Sequence, residues 1–222
     1  MEPAQRLRSD YGIDNNGILH VRHEHWNHNT PLLYEDVIKD VEGNITHLGP
    51  IVVRTGLHTG RAAKDKFIVE EPETRDNVWW GDVNRPISQQ AFENMFRRVQ
   101  AYLQDRDVWI QDCFAGADPN YRLPIRVITV RAWHSLFARN MFIQAEPEQL
   151  TGHIPEFTVL HVPTFQAIPE VDGTNSETFI LLNLARRLAL IGGTFYAGEI
   201  KKSVFTMLNY LLPQQKVLPM HC

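Results

Sequence analysis

Only two cysteines, Cys113 and Cys222, occur in the 222 residues, so no disulfide framework holds this chain together and a reducing compartment is expected. Long apolar runs are missing as well. The most hydrophobic stretch, "FILLNLARRLALIGG", is interrupted by Asn183, Arg186 and Arg187, which excludes a membrane-spanning helix there. The opening "MEPAQRLRSD" lacks the apolar centre of a secretory signal. No Lys/Arg-rich run with interleaved aromatics occurs, and the formal net charge is -4, so nothing points to a nucleic-acid surface. G-x-G-x-x-G, G-x-S-x-G and H-E-x-x-H are absent too, and with them the short signals for dinucleotide binding, serine hydrolysis and zinc proteolysis. There is no internal repeat. These absences lead to the expectation of a cytoplasmic protein without nucleic-acid or membrane partners.

What remains is an ordinary globular balance, 43% hydrophobic and 22% charged. The first forty or so residues are polar and read as irregular; residues 1–44 are expected to pack as a segment on an α/β domain spanning 45–222. "IVVRT" and "KFIVEE" read as strands on their β-branched content, joined by the Gly-bearing loop "GLHTGRAAKD". "SQQAFENMFRRVQAYLQDR" places Phe92, Met95, Val99 and Leu103 on one helical stripe. "VWIQDCF", "IRVITVR", "FTVLHVP", "FILLNL" and "RLALIGG" read as strands, and "AWHSLFARNMF" as a helix. The expected fold is therefore α/β, a mixed β-sheet flanked by helices. The chain closes on the apolar "VLPMHC", where ends usually fray into polar residues; it is expected to be part of a longer protein.

The stretch "GGTFYAGEIKKS" almost spells a phosphate loop. Gly193 and Gly198 have the spacing of G-x-x-x-x-G-K-[ST], but Lys201 and Lys202 arrive two residues too late, and that loop needs its lysine directly after the glycine. Downstream, Ile200, Val204, Met207, Leu208 and Leu211 share one helical face, with Pro213 expected to stop the helix. Lysines in a first helical turn oppose the macrodipole by about 0.3–1 kcal/mol. A desolvated lysine there could supply a neutral amine to a metal, although two solvated surface lysines are the plainer reading. Tyr196 flanks a ligand or packs on a strand. In "TGLHTGRAAKDK", Thr55, Gly56, Thr59 and Gly60 form a compact turn before Arg61, a residue suited to gripping a carboxylate or phosphate. A hairpin loop with a surface arginine is the alternative, and Lys64, Asp65 and Lys66 read as a solvated charge cluster. Trp79 and Trp80 read as core or interface. The histidines His20, His23, His25 and His28 have no helical i, i+4 pairing and no partner cysteine, so a metal site there is not expected.

Taken together, "TGLHTGRAAKDKFIVEE", "WWGDVNRPIS", "CFAGADPNYRLPIRVIT", "ARNMFI", "NSETFILLNLARRLALIGGTFYAGEIKKSVFTMLNYLLP" and "MHC" resemble the ATP-dependent phosphoenolpyruvate carboxykinase family. The resemblance runs in the family's order from about Thr46 onward. It implies decarboxylation of oxaloacetate and phosphorylation of the enolate by ATP, giving phosphoenolpyruvate, CO2 and ADP, with Mn2+ as catalytic cation and Mg2+ accompanying ATP. It implies that Arg61 binds the substrate carboxylate, and that Tyr196 and the Gly198 amide line the substrate pocket. Lys202 and His221 would ligate the metal and approach the ATP phosphates, with Lys201 less direct. Where the family commonly has Ser-Pro after its arginine, Ala62 and Ala63 stand here. The family's P-loop, metal-binding aspartates and second substrate arginine have no counterpart. The resemblance is thus to the N-terminal, substrate-side domain without the C-terminal nucleotide-binding domain, and the chain alone is expected to be inactive, with cofactor binding by the isolated domain left open. A stand-alone anion-binding module of the same fold is the alternative; an unrelated phosphate-binding NTPase fits the glycines but not the lysine register.

Overall fold

The computed structural model describes residues 8–219. His221 and Cys222 lie outside the described residues. The strands are β1 (His23–Trp26), β2 (Gly43–Ile45), β3 (Ile51–Val53), β4 (Lys66–Glu70), β5 (Arg85–Ser88), β6 (Asp107–Ala115), β7 (Leu123–Thr129), β8 (Ile143–Gln144), β9 (Phe157–Val162), β10 (Phe179–Asn183) and β11 (Leu188–Gly192). The helices are α1 (Thr30–Lys39), α2 (Gln89–Leu103), α3 (Ala132–Met141), α4 (Pro147–Leu150), α5 (Pro169–Asp172) and α6 (Gly198–Gln214). The fold is α/β, with mixed parallel and antiparallel strands flanked by helices. No helix among the described residues is long and apolar enough to cross a membrane. The chain divides into two compact units, and the division does not fall at residue 45. One unit runs to Arg54 and resumes over Leu103–Glu156; the other holds Thr55–Tyr102 and the chain from Phe157 onward.

In the first unit, β6 is the central strand. It runs parallel to β1 with His23 opposite Asp107, and antiparallel to β7 with Trp109 opposite Thr129. The N-terminal segment is therefore not irregular, since β1 and α1 lie within it. Helix α1 has the local signals of a start: the Asn29 side chain accepts from the Leu32 amide at 3.1 Å, and Pro31 fits the first turn. Helices α1 and α3 pack on each other, and α3 also lies against β6 and β7. A fully buried ion pair crosses β6 and β7. Arg126 Nε donates to Asp112 Oδ1 at 2.7 Å, its Nη2 to Oδ2 at 3.1 Å, and its Nη1 to the Tyr11 carbonyl at 2.6 Å.

Glu42 caps the buried N-terminal end of α3. Its Oε1 accepts from the Ala132 amide at 3.2 Å and its Oε2 from the Trp133 amide at 2.9 Å. Burial pushes its pKa up from 4.5 to about 7, against the pull of the Trp133 amide, Arg131 and the Ala132 amide. The folded carboxyl thus keeps its proton to higher pH than the unfolded one. Its contribution to stability is complete below about pH 4.5 and is lost as pH rises through about 7. Urea unfolding between about pH 5 and pH 8 should show a decline of about 1–3 kcal/mol that Glu42→Gln flattens.

In the second unit the strand order is β9, β11, β10, β4, β5. Strand β11 is parallel to β9 and antiparallel to β10, while β10, β4 and β5 are parallel. Every residue of β9, β10 and β11 is buried, which explains their near-continuous apolar sequences. Strands β3 and β4 are not a hairpin: β3 pairs with β2, and β4 with β10 and β5. The predicted stripe of α2 is fully buried at Phe92, Met95, Val99 and Leu103. Helix α6 lies on β9, β10 and β11, burying Ile200, Val204, Met207 and Leu208. Pro213 does not stop it; the helix continues to Gln214 with the proline in its last turn. A proline there removes one amide but leaves the preceding turns intact.

Candidate functional site

The site grows from the end of β11. Gly193 adopts φ 69°, and a Cβ on it would sit 2.4 Å from the Glu177 carbonyl oxygen and 2.7 Å from Thr178 Cα. Only glycine fits both the left-handed backbone and that approach. The turn is then pinned from two sides. Thr178 Oγ1 donates to the Gly193 carbonyl at 2.9 Å, and with its proton so committed it accepts from His58 Nε2 at 2.9 Å. Buried His161 donates from Nε2 to the Thr194 carbonyl at 2.9 Å. Desolvation lowers the pKa of His161 to about 4, so the ring is neutral at physiological pH and serves as a fixed donor.

Helix α6 then starts at Gly198. The half-buried ring of Tyr196 lies over that glycine so closely that a Cβ there would be 2.4 Å from it. Gly198 is needed for this contact. Lys201 closes the first turn and is exposed; Lys202 opens the second and is half-buried. The Lys202 Nζ sits 4.7 Å from the centroid of the Phe205 ring, and Lys202 has no ion pair among the described residues. It is a cation held against an aromatic face rather than against a carboxylate.

The residue that organises the site is Glu199, which follows Gly198 and is almost wholly buried. Its Oε1 accepts the Ala62 amide at 2.7 Å, and its Oε2 is 3.8 Å from Arg61 Nε. A helix start and the "GLHTGRAAKD" loop are thereby tied across 137 positions of sequence. Burial raises the pKa of Glu199, opposed by the Ala62 amide, Arg61, Lys66 and His58. Lys66 is not part of a solvated cluster: it is half-buried and donates to Asn84 Oδ1 at 3.0 Å. Burial and then Arg61 lower its pKa, while Glu199 raises it. Asp65 is likewise engaged, accepting from Ser176 Oγ at 3.0 Å; Lys64 alone of the three is exposed. Trp79 is exposed rather than core, and with Lys66, Asn84, Phe205 and Tyr210 it lines a cleft of about 320 Å³.

The result is a pair of cations, Arg61 and Lys66, around one buried carboxylate at a helix N-terminus. Two positive charges against one negative charge give the site a net positive character, and guanidinium and helix amides are groups chemically suited to a carboxylate or phosphate. Arg61 keeps 40% of its side chain exposed, so it remains free to meet a ligand. The structure brings Arg61 to the start of α6, with Tyr196 over Gly198 and Lys202 one turn further along. His221 lies outside the described residues. Glu199, Lys66 and His58 were not anticipated. An acid in a first helical turn was the available signal for Glu199, since the macrodipole favours it there.

Comparison with known proteins agrees with the sequence resemblance. The family described as phosphoenolpyruvate carboxykinase matches residues 22–222. A Geobacter metallireducens protein named phosphoenolpyruvate carboxykinase (ATP) is 57% identical over 212 residues, covering 95% of this chain and 40% of the relative. Its namesake from Thermus thermophilus is 52% identical over 200 residues, covering 88% of this chain and 38% of the relative. A third, from Moorella thermoacetica, is 47% identical over 216 residues, covering 97% of this chain and 41% of the relative. The chain therefore spans about 40% of the length of the curated relatives it matches.

Proposed function

Because the chain belongs to the ATP-dependent phosphoenolpyruvate carboxykinase family, we propose that it supplies the substrate- and metal-binding half of an enzyme converting oxaloacetate and ATP to phosphoenolpyruvate, CO2 and ADP. The observation that carries this reading is Glu199, which holds the Arg61 loop against the start of α6. In the proposed site the Arg61 guanidinium grips a carboxylate of oxaloacetate and fixes the C–C bond to be broken. The Gly198 amide, at the positive end of α6, takes a second substrate oxygen. Tyr196 walls the pocket where CO2 departs. Lys66, carrying positive charge close to Arg61, adds to the field that draws the dianionic substrate in.

The donors present fit a cation in part. Lys202 is half-buried and uncommitted to any carboxylate among the described residues, so its amine can turn from Phe205 to a metal once deprotonated. His221 would be its partner ligand. A divalent ion held there, Mn2+ in this proposal, would supply Lewis-acid stabilisation of the enolate and charge neutralisation at the transferred phosphoryl group. Mg2+ would accompany ATP, bound chiefly by a C-terminal nucleotide-binding domain with contributions from Lys202 and His221. The chain alone would then be inactive, and the assembled enzyme would serve gluconeogenesis in the cytoplasm.

The test uses the enzyme with its C-terminal part. Arg61→Ala should lower kcat/KM for oxaloacetate by about 100-fold, since a charge-assisted contact contributes about 1.5–3 kcal/mol. Lys202→Ala should instead lower kcat and shift activity to higher Mn2+ concentrations. Wild-type kinetics in both variants would refute the assignment.

A further inference from the structure

The histidine tract near the N-terminus, which the sequence left without a role, acquires one from an acidic partner on α1. His25 belongs to β1, His28 precedes the N-cap of α1, and Asp36 stands in its middle. One ligand atom from each lies within 4.8 Å of the others. We propose that His25, His28 and Asp36 form a binding site for a borderline divalent transition-metal ion of the zinc class.

Three features support it. His25 Nε2 is buried and has no hydrogen-bond partner, an arrangement that is costly unless something occupies it. His28 Nδ1 lies 2.9 Å from Asp36 Oδ2, close to the separation of about 3.0–3.5 Å between neighbouring donors on one ion with bonds of about 2.0–2.2 Å. Trp109 fixes two of the three ligands. Its ring stacks on His25 at 4.6 Å and 13°, and its Nε1 donates to Asp36 Oδ2 at 2.9 Å. Outer-shell support of this kind orients a carboxylate ligand and keeps an imidazole from swinging away.

The donor set selects the ion. Two imidazoles and one carboxylate suit Zn2+ and its neighbours, whereas Mg2+ and Ca2+ demand oxygen ligands. Three protein ligands leave a fourth position for water or an incoming group. Closing on the ion asks only for a side-chain adjustment of His25, since its ligand atom already lies within 4.8 Å of the other two. His23 is excluded from the set: its Nδ1 meets Asp107 Oδ1 at 2.8 Å, and its side chain is 65% exposed. An ion at this position would tie β1 to α1, and it is independent of the reading given above for Lys202.

Isothermal titration of the purified protein with Zn2+, alongside thermal unfolding with and without Zn2+, tests the site. Saturable Zn2+ binding with a rise in Tm is expected in the wild type and in His23→Ala, and it should persist as one ion in Lys202→Ala, where the other candidate cation ligand is gone. His25→Gln and His28→Asn should lose both the binding and the Tm rise while keeping the zinc-free Tm. Trp109→Phe should weaken binding about 10-fold. Absence of saturable binding in the wild type, its persistence in His25→Gln, or equal loss in His23→Ala would each overturn the proposal.

Discussion

The Asp112→Ala protein is expected to be about 3–5 kcal/mol less stable than the wild type by urea unfolding. Asp112 and Arg126 have fully buried side chains and share two hydrogen bonds. Removing the carboxylate leaves a guanidinium without its counter-charge where water does not reach. The remaining contacts, which include a long one to the Gly12 carbonyl at 3.5 Å, cannot compensate. The Tyr11 carbonyl at 2.6 Å is a single neutral acceptor, and the Trp26 ring, 4.8 Å below the guanidinium carbon, offers only its quadrupole. The arginine must then either stay charged at high cost or drag β7 outward. Replacing both partners, as in Asp112→Leu with Arg126→Met, should cost clearly less than the single change, because an apolar pair leaves no stranded charge. A single-variant loss below about 1 kcal/mol would show that water reaches the pair.

Gly193→Ala should cost more than about 3 kcal/mol, summing left-handed strain of about 1–2 kcal/mol with a backbone clash. The added methyl meets the Glu177 carbonyl and Thr178 Cα, at 2.4 and 2.7 Å, and neither can rotate aside. The neighbours that would have to move carry the site: Thr178 holds the Gly193 carbonyl and the His58 ring. Gly173→Ala is the internal control. Gly173 has φ 72° but nothing within 4 Å of an added Cβ, so it should show the conformational cost alone, about 1 kcal/mol. Equal Tm losses in the two variants would remove the close-approach explanation.

These two sites show where sequence patterning stops. The helical stripe of α2 and the apolar strands β9, β10 and β11 were legible because burial alone dictates their composition. Pairing was not. Nothing within "IVVRTGLHTGRAAKDKFIVEE" tells that its two strands choose different partners, because the partners of β4 lie at Arg85–Ser88 and Phe179–Asn183. Strand β1 escaped notice because "HEHW" has one buried residue in four, which leaves no alternation to read. At the candidate site, Arg61, Tyr196, Gly198 and Lys202 stood out by residue type and spacing. Glu199 looked only like the residue that spoiled a phosphate loop. Its meaning depends on an amide 137 positions away, and no local pattern carries that distance. The same holds for Asp36, whose hydrogen-bonded neighbours are His28, just before its own helix, and Trp109 on β6.

The parallel pairing of β1 with β6, His23 opposite Asp107, also sets an order of events during synthesis. The two residues are 84 positions apart, so at a translation rate of about 5–20 residues per second β1 emerges about 4–17 s before its partner exists. Through that interval its amides and carbonyls face only water and other chains. Three of its four side chains are polar, which lets the segment wait on the ribosome without seeding aggregates. The polar character of β1 thus suits a strand that is made well before its partner and paired late.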